Sequence, residues 1–153
     1  MPREEMEILL VEDDPEDVQL TLHTLHNEKL INRIQVVRDG EEALDFLFHR
    51  GAYNNQDRNC HPRLILLDLK LPKVDGLEVL RQVKQDPRTR VIPVVILTSS
   101  KQEQDVVASY RLGVNSYIQK PVDFDQFRAT IKELGYYWLL VNQPPPVPAL
   151  KTS

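Results

Sequence analysis

An α/β fold built on a five-stranded parallel sheet is what this chain predicts, and three observations carry that expectation. Five short apolar runs alternate with helical patterns along the whole chain. The run Leu64-Ile65-Leu66-Leu67 is too short for a core helix, and it lacks the polar alternation of a half-exposed strand. Four of the five runs end abruptly on charged or hydroxyl side chains. A strand apolar throughout is buried on both faces, as in a parallel sheet covered by helices on each side.

The first run, residues 7–11, leads straight into Glu12-Asp13-Asp14-Pro15. Asp14 before Pro15 makes a helix N-cap with proline at the first helical position. Val18, Leu22 and Leu25 then supply the apolar stripe of that helix. Residues 33–37 form the second strand, Asp39-Gly40 a turn, and Ala43, Leu44, Leu47 and Phe48 the next helix. Residues 50–62 are polar, with Gly51, Asn54, Asn55 and Asn59, and read as a long loop. Residues 64–67 are the third strand and end on Asp68, with Pro72 and Asp75-Gly76 marking a turn behind it. Leu77, Leu80 and Val83 carry a helix that ends near Asp86-Pro87. Residues 91–97 are the fourth strand, followed by Thr98-Ser99-Ser100. A helix over 103–112 is stopped by Gly113, and residues 115–119 form the fifth strand, closed by Lys120-Pro121. Residues 123–141 make an extended last helix, within which Gly135 marks either an end or a tolerated interior glycine. Right-handed crossovers leave few topologies for five such units. The flavodoxin-like, doubly wound order 2-1-3-4-5 is the natural one.

A chain of 153 residues can bury a sizeable core as one domain, expected over residues 1–142, with a proline-rich, extended tail over 143–153. Hydrophobic content of 41% and charged content of 27% are those of an ordinary soluble globular protein. The formal net charge of −4 gives no general attraction to nucleic acid. The amino terminus is acidic without an apolar signal region, and no run reaches membrane-spanning length. The single cysteine, Cys60, can form no internal disulfide, which fits a reducing cytosol, so a cytoplasmic protein is expected.

In an open parallel sheet, ligands bind beyond the carboxyl ends of the strands. Glu12-Asp13 follow the first strand, Asp68 the third, Thr98 the fourth and Lys120 the fifth. Taken singly, Asp68 could merely cap the next helix and Glu12-Asp13 could be a solvated turn. Together they suit phosphoryl transfer to a carboxylate. Asp68 would be the nucleophile, forming an acyl phosphate. Mg2+ (or Mn2+) held by Asp13 and Asp68, with Glu12 reaching it through water and the Lys70 backbone carbonyl as a further ligand, would offset the phosphoryl charge. The Lys120 ammonium would pair with one phosphoryl oxygen and the Thr98 hydroxyl would donate to another. Without a cation, the clustered acids should raise one another's pKa values.

With Glu12-Asp13, Asp68, Thr98 and Lys120-Pro121 in this order, the chain resembles the receiver domain of two-component response regulators from about Met6 to Val141. The resemblance implies the phosphoacceptor and magnesium roles just described, and a histidine kinase as partner. It also gives Tyr117 the part of a switch aromatic that swings inward as Thr98 moves toward the phosphoryl group. The physical logic is that phosphorylation adds nearly two negative charges, and a hydroxyl drawn to them vacates space beneath. The loop between Phe48 and Arg63, the run Asp68-Leu69-Lys70-Leu71-Pro72, residues 107–110 and Tyr137-Trp138-Leu139 are similar to the small response regulators that serve cyanobacterial phytochromes. Stand-alone receivers of unrelated kinases share the same chemistry. The implied protein is no enzyme in the ordinary sense, but a phosphoacceptor that assists its own Mg-dependent phosphorylation and dephosphorylation. A haloacid-dehalogenase-like phosphatase fits less well, since Lys70 stands where its general acid would be and Asp68 follows the third strand, not the first.

No second domain follows the last helix, so signalling is expected through protein contacts. Phe124, Phe127, Ile131, Leu134 and Trp138 fall on one core-facing stripe, while Tyr136, Tyr137, Leu139 and Leu140 add apolar surface on other sides. A helix apolar all round should be covered. A homodimer through the last helix, the last strand and the preceding helix, with Val106 and Tyr110 contributing, would cover it; the tail folding back is the alternative. Cys60-His61 lies on a polar loop with no apolar pocket suggested, and His23 and His26, three apart on a helix, lack a third ligand.

Overall fold

The expected runs become strands, the three central ones buried on both faces and the two edge ones only half-buried. The computed structural model describes residues 8–29, 33–54 and 61–143. Strands β1 (Ile8–Val11), β2 (Ile34–Val37), β3 (Leu64–Leu67), β4 (Val94–Thr98) and β5 (Ser116–Gln119) form one parallel sheet in the order β2-β1-β3-β4-β5. Helices α1 (Pro15–Asn27), α2 (Gly40–Leu47), α3 (Gly76–Gln85), α4 (Glu103–Leu112) and α5 (Phe124–Gly135) connect and follow them. A 3-10 turn covers Gly51–Tyr53, and a π-helical segment, Tyr136–Val141, continues α5. This is the expected flavodoxin-like, doubly wound arrangement.

Successive strand residues face opposite sides of the sheet. Leu9, Val11, Ile65, Leu67 and Ile96 therefore pack with Phe46 of α2 and Val79, Leu80 and Val83 of α3. Ile8, Leu10, Leu64, Leu66, Val95 and Leu97 pack with Val18 and Leu25 of α1 and Phe127, Ile131 and Leu134 of α5. Each fully buried aliphatic side chain contributes about 1.5–3 kcal/mol. Their sum is what allows the sheet to carry charged residues at its end.

Four helices begin on an aspartate cap. Asp14, Asp39, Asp75 and Asp123 each accept from a backbone N–H of the first turn of α1, α2, α3 and α5. Asp39-Gly40 is thus the start of α2 and not a separate turn. Asp75, and not Asp68, caps α3, which leaves Asp68 for other work. Strand β4 begins at Val94, three residues later than expected. Pro93 has no N–H to give the ladder, although its carbonyl accepts from Ile65 N at 3.0 Å.

Both ends of the α5 region depart from the expected stripe. Phe124 is 63% exposed, whereas Leu139, assigned to the outer surface, is only 4% exposed. Phe124 is the first residue of α5, just past its Asp123 cap; at the other end the π-helical turn is the cause. A wider turn returns the chain to the same face after five residues instead of four, so Leu139 follows Leu134 into the core and Trp138 is only half-buried. Gly135 lies at the junction with helical dihedrals, φ −60 and ψ −48. Cys60, residues 55–59 of the loop and the proline-rich tail from Pro144 lie outside the described residues.

Gly76 opens α3 directly behind Asp68. Its N–H donates to the Leu69 carbonyl at 2.9 Å. A Cβ there would stand 2.4 Å from the Asp68 carbonyl oxygen and 2.5 Å from Leu69 Cα. Gly76→Ala should therefore lower stability by about 1–3 kcal/mol, the usual cost of overpacking. The shift in urea midpoint checks this, with Gly113→Ala at the left-handed C-cap of α4 (φ 100) as a comparison.

Candidate functional site

Register brings the charged ends together. Val11 pairs with Leu67, so Glu12 and Asp68 leave adjacent strands at the same level. Backbone bonds extend one step past the ladder, with Glu12 N donating to Val37 O and Asp68 N to Val11 O, each at 3.0 Å. Thr98 pairs with Gln119, and Lys120 N then donates to Thr98 O at 2.7 Å.

Lys120 is the hub of the cluster. Its Nζ lies 2.5 Å from Glu12 Oε1, 2.8 Å from Asp17 Oδ2 and 3.0 Å from Asp68 Oδ2. The other Asp68 oxygen, Oδ1, accepts from Lys70 N at 3.2 Å. Glu12 and Asp68 are buried, Asp13 is exposed, and one carboxylate oxygen of each lies within 4.8 Å of the others. Such a set of hard oxygen donors fits a divalent cation of the Mg2+, Mn2+ or Ca2+ type. The donors come from two strand ends that neighbouring strands already hold in place.

One positive charge among these acids decides where the protons sit. Burial, reinforced by the charge on Asp68, raises the Glu12 pKa to about 8 despite the Lys120 contact. Burial raises Asp68 too, but the hydrogen bond from Glu12, the Lys120 charge and the Thr98 hydroxyl outweigh it, and its pKa is lowered. Lys120 is raised, because bonds to Asp17 and Glu12 outweigh its own desolvation. The acids do not raise one another evenly: Glu12 is raised and Asp68 is lowered.

Asp17 was not among the residues expected here. It follows Asp13 by one helical turn, on a helix that begins at the sheet's carboxyl edge. That spacing is the signal that could have found it. Thr98 is fully buried, and its Oγ1 accepts from Ser100 N at 3.4 Å. Tyr117 is half-buried, and its hydroxyl donates to the Ser100 carbonyl at 2.9 Å, so Ser100 stands between the two expected switch residues. Of the expected dimer contacts, Tyr110, Tyr136, Tyr137 and Leu140 are exposed; Val106 is partly covered, and its neighbour Val107 is exposed instead. The Tyr136 hydroxyl donates to Glu28 just past α1 at 3.0 Å, so this ring is already tied within the chain. His23 and His26 are both exposed.

Residues 8–132 match the response regulator receiver domain. The chain belongs to this family. The receiver is 43% identical over 139 residues to the probable methanogenesis regulatory protein FilR2 of Methanothrix harundinacea, covering 90% of this chain and 86% of that one. It is also 43% identical over 132 residues to the response regulator Rcp1 of Synechocystis, covering 86% of this chain and 88% of Rcp1. Three solved structures share the fold closely. The Mn(2+)-bound form of Rcp1 superposes with a TM-score of 0.85 at 41% identity, covering 92% of this chain and 99% of that one. The phosphorylated cyanobacterial phytochrome response regulator RcpA gives 0.86 at 42%, with the same coverage. The bacteriophytochrome response regulator RtBRR gives 0.73 at 55%, covering 93% of this chain and 85% of that one. Receivers accept a phosphoryl group in two-component signalling, and this one carries the acidic cluster that such chemistry needs. Among the described residues, no helix is long and apolar enough to cross a membrane.

The proton on Glu12 has a measurable sign. A group whose pKa is raised on folding stabilises the fold fully below its unfolded value and loses that contribution as pH rises through the folded one. In chelator, stability should therefore fall as pH rises from 4.5 to about 8. His61, lowered from 6.5 by burial and by the Arg88 charge, works in the opposite sense at the acid end of this window. The readout is thus the difference between wild type and Glu12→Gln. The two urea-derived stability curves should diverge in slope between pH 5 and 8, the variant being the flatter or rising one.

Proposed function

We propose that the receiver takes a phosphoryl group from a histidine kinase onto Asp68, forming an acyl phosphate, and signals through protein–protein contacts. The observation that carries this reading is the Asp68 carboxylate beside Lys120 Nζ, with Glu12 and Asp13 oxygens close enough to share a cation. The attacking Asp68 oxygen forms the bond to phosphorus as the bond to the donor's nitrogen breaks, and water later releases phosphate.

Asp13 and Asp68, the Lys70 backbone carbonyl and, through water, Glu12 would hold Mg2+, or Mn2+ as in the Rcp1 structure. The cation neutralises phosphoryl charge as it is transferred. Its arrival would displace the proton on Glu12 and free Lys120 to meet a phosphoryl oxygen, with Thr98 donating to another. Receiver chemistry of this kind is self-assisted in both directions. Thr98 and Tyr117 would form the switch.

A phytochrome-type light sensor is the kinase we favour. Rcp1, RcpA and RtBRR support it, two of them being phytochrome response regulators by name. FilR2, named as a probable methanogenesis regulatory protein, supports the alternative of an unrelated kinase at the same identity. We place the working unit in the cytoplasm, with residues 1–142 as the receiver and 143–153 as a proline-rich extension. With acetyl phosphate and Mg2+, intact-mass measurement should show one added phosphate. Asp68→Asn or excess chelator should abolish it; incorporation surviving Asp68→Asn would overturn the assignment.

A homodimer through α4, β5 and α5 is the assembly this surface supports. Tyr110 is 54% exposed and Leu140 64%, with Val106, Val107, Tyr136 and Tyr137 contributing. The outer stripe of α4 reads Glu103-Val107-Arg111 at four-residue spacing, which is self-complementary when two copies meet antiparallel. Sedimentation should give a dimer that Tyr137→Glu with Leu140→Glu converts to monomer. A full-length chain that is already monomeric, with and without phosphate, would remove this assembly.

A further inference from the structure

Of the three carboxylates on Lys120, Asp17 is the one that a helix supplies. It lies in the first turn of α1, and its N–H donates to the Asp14 cap at 3.4 Å. Its neighbour Val18 is buried under α1 and α5, in the cluster that holds Leu10, Leu66 and Phe127. The start of the helix is thus fixed by a cap on one side and by the core on the other. From this mount Asp17 Oδ2 reaches Lys120 Nζ at 2.8 Å, across 103 residues of sequence.

The three acids differ in what else they serve. Among the described residues, the carboxylates with oxygens all within 4.8 Å of one another are Glu12, Asp13 and Asp68; Asp17 stands outside that group. An ammonium has three N–H bonds to give, and here it faces three carboxylates. Two of these, Glu12 and Asp68, also belong to the cation set. Once they turn to a divalent ion, Asp17 is the partner that Lys120 keeps.

A lysine tip needs such a partner to be aimed. Its four-carbon stem is flexible, and its ammonium is a point charge without the planar fork that orients an arginine. The backbone of Lys120 is held at one end, its N–H donating to Thr98 O at 2.7 Å. Nothing in that bond fixes the far end of the side chain.

We propose that Asp17 is a positioning residue for phosphoryl transfer, holding the Lys120 ammonium from α1 by one N–H while the other two stay directed into the site. This role rests on the phosphoacceptor reading of Asp68. Direction set in advance leaves no reorganisation for the moment when charge moves onto the phosphoryl oxygens. The Asp17 carboxylate also draws on the same positive charge, and a partner that merely competed for it would act as a brake. The two effects have opposite signs: removing a positioning acid slows transfer, and removing a brake speeds it.

The test uses full-length wild type, Asp17→Ala and Asp17→Asn, and its first readout needs no phosphate. At saturating Mg2+, the NMR signal of the Lys120 Nζ protons, assigned by its loss in Lys120→Ala, reports their exchange with water. Asp17→Ala should speed that exchange about tenfold, the effect of one lost charge-assisted hydrogen bond. Asp17→Asn, which keeps an acceptor oxygen, should fall between. A role confined to the stability of α1 would not move this signal, and equal exchange in wild type and Asp17→Ala would overturn the tether. Mg2+ affinity by calorimetry should change less than about fivefold, the effect of a single partly exposed charge. A larger loss would put Asp17 in the cation set and overturn its assignment to Lys120. With acetyl phosphate and Mg2+, phosphate addition followed by intact mass should be about tenfold slower in Asp17→Ala and largely restored in Asp17→Asn. An unchanged or faster rate in Asp17→Ala would overturn the positioning role. Absence of phosphate on wild-type Asp68 would overturn the receiver reading and that role together, while leaving the Lys120 signal to judge the tether.

Discussion

The structure depends on one crowded electrostatic arrangement: a single ammonium, Lys120, held among the carboxylates of Glu12, Asp17 and Asp68 at the end of a buried sheet. Taking such charges out of water is expensive, and an ion pair does not offset the cost unless its geometry is good and its charges balance. Here they do not balance. The local answer is a proton on Glu12, and the chemical answer is a second positive charge. A site that is short of cation by construction is one that can bind a divalent ion and then accept the further negative charge of a phosphoryl group. The apolar core carries the cost of keeping it assembled.

That arrangement exists because parallel pairing is strict about level. Side-chain direction alternates along a strand, so a slip of one residue would turn Leu64–Leu67 inside out. The two apolar clusters, one under α2 and α3 and the other under α1 and α5, forbid such a slip on both faces at once. Once Val11 stands opposite Leu67, Glu12 and Asp68 have no freedom to part. The loop behind Asp68 is held as tightly, since Gly76 approaches its carbonyl more closely than any side chain would permit. Electrostatic placement is inherited from packing.

How much of this was legible in the sequence follows from the range of each effect. Strands and helices were readable because hydrophobic period is local, and the cap Asp14 because a cap and its helix are neighbours in the chain. The convergence of Glu12, Asp13, Asp68, Thr98 and Lys120 was readable because strand ends in a parallel sheet share one edge. Asp17 escaped notice because an acid in the first turn of a helix has an ordinary explanation in the helix dipole. Phe124 was misplaced because it is the first residue of α5, just past the Asp123 cap; Leu139 was misplaced because a stripe drawn at the α-helical period fails once the turn widens, and nothing in Tyr136–Val141 announces a π-helix. The Ser100 hydroxyl donates to Asp105, five residues on across a helix start, a spacing for which no periodic rule exists.

The five helices are therefore not equivalent. Four are closed at their amino ends by an aspartate of their own, so each can form its first turn without reference to the site. The fifth, α4, takes its side-chain anchor from outside the helix, the Ser100 hydroxyl bonded to Asp105, so its first turn closes against the preceding segment rather than on a cap of its own.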